Sequence, residues 1–206
     1  FEAALVAGVD HGPQAPSIAA ARMAATCGVG INNAMATGIN MLGDIHGGAG
    51  EQCAELFYEI SSRIDNGATF EKAIQEALRE WESGNGKIIS GFGHRFHKPI
   101  DPRAPRLLEL VRLAAKENIV SGKYADIAEA IQSHLSIKKD IAMNIDGATA
   151  VIFCELGFPA PLSRGLFCLS RSVGILSHAW EQIEQGGRNK GPMPPKYLPK
   201  YISKNT

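Results

Sequence analysis

No uninterrupted apolar run in this chain approaches the roughly 18 to 20 residues needed to span a bilayer, so nothing in it reads as a membrane helix. A secretory signal pattern is also missing, although the chain opens mid-pattern at Phe1-Glu2-Ala3-Ala4-Leu5. Net charge is absent: 21 basic side chains balance 21 acidic ones. Non-specific nucleic-acid binding relies on a basic surface, and a balanced chain argues against it. Cysteine is sparse. Cys27, Cys53, Cys154 and Cys168 stand far apart with no Cys-x-x-Cys pair, which argues against a zinc site or a disulfide framework. Each sits among apolar neighbours and is expected to be a buried small hydrophobe in a reduced, cytoplasmic protein. Internal repeats are missing, and the only biased tract is the polar end from Lys196 onward.

Convincing two-residue alternation is absent as well, whereas helical spacing is nearly everywhere. Ser17 to Cys27 is alanine-rich, with Ser17 placed to cap its start. Cys53, Leu56, Phe57, Ile60 and Ile64 form one apolar stripe. A second runs from Phe70 to Trp81 and is closed by Ser83-Gly84-Asn85-Gly86. Leu107, Leu108, Val111 and Ala114 make a third, and Ile127, Ala130, Ile131 and Leu135 a fourth. Ser163 to Gln185 reads as a helix buried over much of its circumference, followed by a loop through Pro195. The spacing predicts an all-α fold, and 206 residues suffice for one core or for a large domain with a smaller one attached.

Histidines set among glycines are the chemical signal. They occur in His46-Gly47-Gly48-Ala49 and in Gly91-Phe92-Gly93-His94-Arg95, which runs on to Asp101-Pro102-Arg103. A third, His11, lies in Asp10-His11-Gly12-Pro13. Glycine lets backbone approach a ligand, and imidazole exchanges protons or hydrogen bonds near neutral pH.

Making or breaking a carbon–carbon bond beside a thioester needs a base for the α-proton and a donor for the oxygen that becomes an enol. It also needs a second donor for the carbonyl under attack. Asp146, His46 and His94 supply those three parts. Arg103, Arg171 and Arg188, with His11, supply groups suited to holding carboxylates. Taken alone, Asp146 reads first as a helix cap, whereas for the histidines a structural role tied to carbonyls is the lesser reading. His97 and His134 carry no functional signal; Trp81 and Trp180 read as packing residues, and His178 as structural.

In these blocks the chain resembles the citrate synthase superfamily over nearly its whole length. His46-Gly47-Gly48-Ala49-Gly50-Glu51 is similar to that family's histidine block, with Gly50 in place of asparagine. Gly91 through Ala104 resembles the block ending in aspartate-proline-arginine. Asn144-Ile145-Asp146, followed by Leu156-Gly157-Phe158-Pro159, has the spacing of the segment that carries the catalytic aspartate. Ser170-Arg171-Ser172-Val173-Gly174 with His178 resembles the arginine-bearing helix. Asp10-His11-Gly12-Pro13 and Asn144-Ile145-Asp146-Gly147 lean toward the citryl-CoA lyase branch, including the lyase portion of ATP-citrate lyase.

The resemblance implies roles. Asp146 takes a proton from the methyl group of acetyl-CoA, His46 supports the enol oxygen, and His94 donates to the ketone of oxaloacetate. His11, Arg103 and Arg171 bind carboxylates, and Arg188 does so from the neighbouring subunit of a homodimer. It also implies a two-domain helical fold, with residues 1–55 and 160–206 in a larger domain and 56–159 in a smaller one that closes over substrate. Family members have more helices ahead of the point where this chain begins, so the resemblance implies a compact form or a missing N-terminal part. No metal or bound organic cofactor is implied; a coenzyme A thioester is a co-substrate, with citrate or citryl-CoA on the other side of the reaction. The alternatives are a 2-methylcitrate synthase acting on propionyl-CoA, and a non-catalytic homologue that binds CoA or citrate.

Overall fold

A computed structural model describes residues 1–86, 88–137, 141–191, 194–200 and 202. Among them are nine α-helices, one short 3-10 helix at Pro195–Tyr197 and no strand beyond two isolated bridges, so the fold is all-α. The helices are α1 (Glu2–Ala7), α2 (Pro16–Thr26), α3 (Ile31–Ile39), α4 (Ala49–Asp65) and α5 (Phe70–Asn85). They continue as α6 (Arg103–Lys116), α7 (Lys123–Ser136), α8 (Ile145–Glu155) and α9 (Ala160–Glu184).

The apolar spacings define the faces that are buried. Cys53, Leu56, Phe57 and Ile60 turn one side of α4 into a core shared with α5, α6, α7 and α8, and Ala4 of α1 joins it. A second, smaller core gathers Ile18 and Ala21 of α2, Ala34 of α3, and Ile175 and Ala179 of α9. Small residues allow this second group to pack closely. A Cβ on Gly38 would lie 2.8 Å from both the Ser17 carbonyl oxygen and the Ile175 side chain.

Several expectations are corrected. Ala15, not Ser17, is the N-cap of α2: Pro16, with its φ preset and no N–H to satisfy, takes the first helical position and moves Ser17 inside. Asn144 caps α8 by accepting the N–H groups of Asp146 and Gly147, which relieves Asp146 of that role. Helix α5 runs through Gly84 and stops only at Gly86, whose φ is +84°. Cys53 and Cys154 are buried, but Cys27 is exposed at the C-terminal end of α2 and Cys168 is half-buried.

Helix α9 carries an uncovered apolar stripe. Leu162, Leu169, Val173, Leu176, Trp180 and Ile183 recur at spacings of three, four and seven residues and all stay exposed. Trp180 is therefore 54% exposed within this chain, whereas Trp81 packs on the larger core and donates from Nε1 to the Ile88 carbonyl at 3.0 Å. The loop after α9 is as expected through Gly191 and at Pro194, whereas Pro195 opens the short 3-10 helix; residues 192 and 193 lie outside the described set. Among the described residues, no helix is long and apolar enough to cross a membrane.

Candidate active site

The loop carrying His94 is fastened to the start of α8 by backbone bonds. Gly93 donates to Ala142 at 2.7 Å and Asn144 donates to Gly91 at 3.0 Å, while the Asn144 side chain donates to the Gly93 carbonyl at 2.6 Å. This approach requires glycine on both sides: a Cβ on Gly147 would fall 2.4 Å from the Gly91 oxygen, and one on Gly91 would fall 2.5 Å from Cys53 Sγ. His94 and Asp146 are brought into one region by that contact.

Asp101 ties the same two elements together. It is 2% exposed, and accepts from Arg103 Nε at 2.9 Å, Arg103 Nη2 at 2.8 Å, the Arg103 N–H at 3.2 Å and the Ile145 N–H at 3.0 Å. Burial alone would raise its pKa; the Arg103 guanidinium and the two N–H groups overcome that and hold it at about 2. With its Nε side occupied by Asp101, Arg103 reaches the Ala7 carbonyl through Nη1 at 3.4 Å. Arg171, 5% exposed on α9, donates from Nε to the Gly8 carbonyl at 3.0 Å and lies 4.8 Å over the Phe167 ring. Both guanidiniums are thus anchored on the last turn of α1, and each keeps N–H groups for a carboxylate.

The histidine tautomers follow from their partners. His46 Nε2 meets the Ser17 N–H at 3.2 Å and the Ser17 hydroxyl at 3.0 Å. A backbone N–H can only donate, so Nε2 accepts and the proton sits on Nδ1. His94 is the reverse: Nδ1 accepts from the N–H groups of Phe96 at 3.0 Å and His97 at 2.9 Å, leaving Nε2 as the donor. Burial, then the positive Arg171, pushes His46 below the ordinary histidine pKa. Burial, His97 and Arg103 do the same to His94 against the pull of Asp101. His11 is lowered by burial, then by Arg171, His94, Arg103 and His97. All three imidazoles are neutral near pH 7, which suits hydrogen-bond donors to an oxygen that gains charge.

Asp146 lies in the first turn of α8. Burial raises its carboxyl above the ordinary aspartate value, and Arg171 and Arg103 only partly offset this. A carboxylate made more basic in this way, beside two fixed cations, is equipped to take a proton. The start of α4 passes close by: a Cβ on Gly50 would lie 3.8 Å from the Asp146 carbonyl oxygen, bringing the His46 block beside Asp146.

His11, His46, His94, Arg103, Asp146 and Arg171 are thereby linked through shared contacts and fields. Arg188 is exposed after α9 and takes part in none of these contacts. His178 is paired with Asp10 at 3.2 Å and Glu181 at 3.3 Å, a structural position. Sequence reasoning passed over Ser17, Asp101, Asn144 and His97. The aspartate-proline-arginine string already placed Asp101 two residues from Arg103, but Ser17 and His46 are 29 residues apart and only the fold joins them.

The helical fold thus gathers a buried aspartate, two histidines of opposite tautomer and two anchored arginines in one region. The family described as citrate synthase, C-terminal domain, matches residues 1–192, and the chain belongs to it. Citrate synthase of Saccharolobus solfataricus is 31% identical over 194 residues, which cover 91% of this chain and 48% of that protein. The chain spans about half the length of that curated relative. Citryl-CoA lyase from Hydrogenobacter thermophilus superposes with a TM-score of 0.80 at 30% identity, covering 98% of this chain and 75% of the other. Citrate synthase from Thermoplasma acidophilum, solved with carboxymethyl coenzyme A and oxaloacetate, gives 0.75 at 26% identity, covering 98% and 52%.

Proposed function

We propose that this chain carries the reaction centre of an acyl-CoA enzyme that joins acetyl-CoA to oxaloacetate, or splits citryl-CoA into them. The observation that carries the reading is the pair of opposite histidine tautomers around one partly shielded carboxylate. Asp146 removes a proton from the acetyl methyl group as His46 Nδ1–H supports the thioester oxygen of the enol. The enol carbon then attacks the ketone carbon of oxaloacetate, whose oxygen takes the proton of His94 Nε2. His11, Arg103 and Arg171 hold the carboxylates. Cleavage is the same path reversed, with Asp146 returning the proton to carbon. A synthase next admits water to the citryl thioester and releases free CoA; a lyase excludes it.

Likeness to both a synthase and a lyase supports the shared chemistry and leaves both directions open to assay. The exposed stripe on α9 supports a homodimer, in which Arg188 reaches the neighbouring site. The separate core of Ile18, Ala34 and Ile175 supports a larger unit drawn from residues 1–55 and 160–206, with 56–159 closing against it, while Ala4, Cys53 and Ala160 of that unit pack into the core of 56–159. Coenzyme A enters as co-substrate, and the reaction belongs in the cytoplasm.

A paired assay on the full-length protein tests the reading. One arm supplies acetyl-CoA and oxaloacetate and follows thiol release; the other supplies citryl-CoA and follows oxaloacetate. Thiol release in the first marks a synthase, and oxaloacetate without thiol release marks a lyase. Activity confined to propionyl-CoA moves the assignment to 2-methylcitrate chemistry. Silence in every arm, with CoA or citrate still raising Tm, leaves a non-catalytic binder.

A further inference from the structure

His97 was assigned no role by its sequence context, yet the fold brings it into the site. One ring nitrogen of each of His11, His94 and His97 lies within 4.8 Å of the others, close enough for one small group to meet all three. The His94 and His97 rings have centroids 4.5 Å apart, and His11 stands edge-on to His94 at 5.3 Å. His97 also lines a cavity of about 640 Å³ with His94, Lys98 and Ile141, so the cluster is reachable from solvent.

Three converging imidazoles ordinarily suggest a transition metal. Here the protons decide otherwise. Nδ1 of His94 is occupied by two backbone N–H donors, so the nitrogen left for a ligand is Nε2, and it carries a hydrogen. Turning Nε2 into a metal ligand would move that hydrogen to Nδ1, against the N–H groups of Phe96 and His97. Charge points the same way. Arg171 and Arg103 both act on His11, and Arg103 acts on His94 against the opposing Asp101, so the His11 side of the cluster sits in a positive field that repels a cation and draws an anionic oxygen.

We infer that His97 is a third substrate-contacting histidine, meeting an oxygen of a keto-dicarboxylate or of its hydroxy-tricarboxylate adduct beside His94 and His11. This rests on the substrate class assigned to the site under Proposed function. His97 thereby adds a specificity contact to a site otherwise read by arginine.

The test is calorimetric titration of oxaloacetate, and separately of citrate, into the full-length protein and its His97→Ala and His97→Gln variants. A thermal melt of each without ligand accompanies it. Loss of one hydrogen bond to a charged ligand predicts about tenfold weaker binding in His97→Ala, with unliganded Tm unchanged. His97→Gln, which keeps a donor, regains part of the affinity. Equal affinity in wild type and both variants overturns the inference while leaving the site's proposed substrate intact. Absence of oxaloacetate and citrate binding in the wild type fails the substrate reading itself, and the inference with it. Zn²⁺ titrated alone is the last arm. Zinc binding that competes with oxaloacetate and disappears in His97→Ala overturns the oxygen reading in favour of a metal.

Discussion

The backbone crossing of Gly91 and Gly147 makes a sharp demand on side-chain size, and Gly147→Ala tests it. The new Cβ would sit 2.4 Å from the Gly91 carbonyl oxygen, against an ordinary contact of 3.4 Å or more. Met143 Cγ, at 2.7 Å, belongs to a side chain that can turn away, but the Gly91 oxygen is backbone and already accepts the Asn144 N–H. The His94 loop must therefore retreat from α8 by about 1 Å. A misplacement of about 1 Å in a catalytic constellation costs on the order of 100-fold in rate. Stability should suffer far less. Overpacking costs about 1–3 kcal/mol, and replacing a helical glycine with alanine returns roughly 1 kcal/mol. The net loss is up to about 2 kcal/mol, or up to roughly 8 °C in Tm for a chain of this size. Gly165→Ala on α9 is the control, because its Cβ meets nothing nearer than 3.9 Å; it should match or exceed wild-type stability with unchanged activity. Steady-state rates and thermal melts on both variants decide the matter. Gly147→Ala with wild-type kcat would refute the claim that this crossing sets the separation of His94 and Asp146.

Asp146→Asn should abolish turnover yet raise Tm at pH 7, because it removes a carboxylate whose charged form is penalised by burial. The sign is specific: the unfolded carboxyl ionises near 3.8 and the folded one higher, so the Tm gain should shrink as pH falls toward 3.8 and vanish below it. For the same reason the acid limb of kcat/KM should lie above 3.8 in the wild type; a limb at or below it would contradict Asp146 as the base. Arg103→Lys loses the fork that grips Asp101 at Nε and Nη2, and should raise the KM for oxaloacetate by roughly 10- to 100-fold. An unchanged KM would remove Arg103 from the carboxylate site. Trp180→Lys on the exposed α9 stripe should halve the mass seen by light scattering and lower activity; an unaltered mass would place the dimer contact elsewhere.

Legibility in the sequence tracked how local each device is. Helices α4 to α7 announce themselves because each is half-buried, so apolar residues recur on one face. Helix α8 gave no such stripe: from Gly147 to Cys154 every residue is buried, and a helix covered all round has no polar face to set the period. Helix α9 misled in the opposite way, since its apolar circumference implied burial that this chain alone does not supply. The histidine blocks and Arg103 were visible because glycine and proline mark them locally, whereas Asp146 and Arg171 stood out only through the resemblance of their segments to the citrate synthase superfamily. Asp101 was half visible, through its neighbour Arg103. Ser17 and His97 were not, because their significance lies in what the fold sets beside them.

The two histidine clamps show why such locality matters for chemistry. His94 is fixed by the N–H groups two and three residues ahead in its own loop, so its tautomer survives whatever the rest of the chain does. His46 is fixed by the Ser17 N–H, which reaches it only when α2 packs against the segment before α4. Of the two histidines, His94 is thus built into a local turn, and His46 depends on long-range assembly. With the roles proposed above, a perturbation of the α2–α3–α9 core, where a Cβ on Gly38 would lie 2.8 Å from the Ser17 carbonyl oxygen, should therefore impair proton removal at the acetyl group before it impairs oxaloacetate binding. Gly38→Ala separates the two steps. Exchange of the acetyl methyl protons with solvent should slow while the affinity for oxaloacetate holds, and parallel loss of both would mean that His46 and His94 are not independently set.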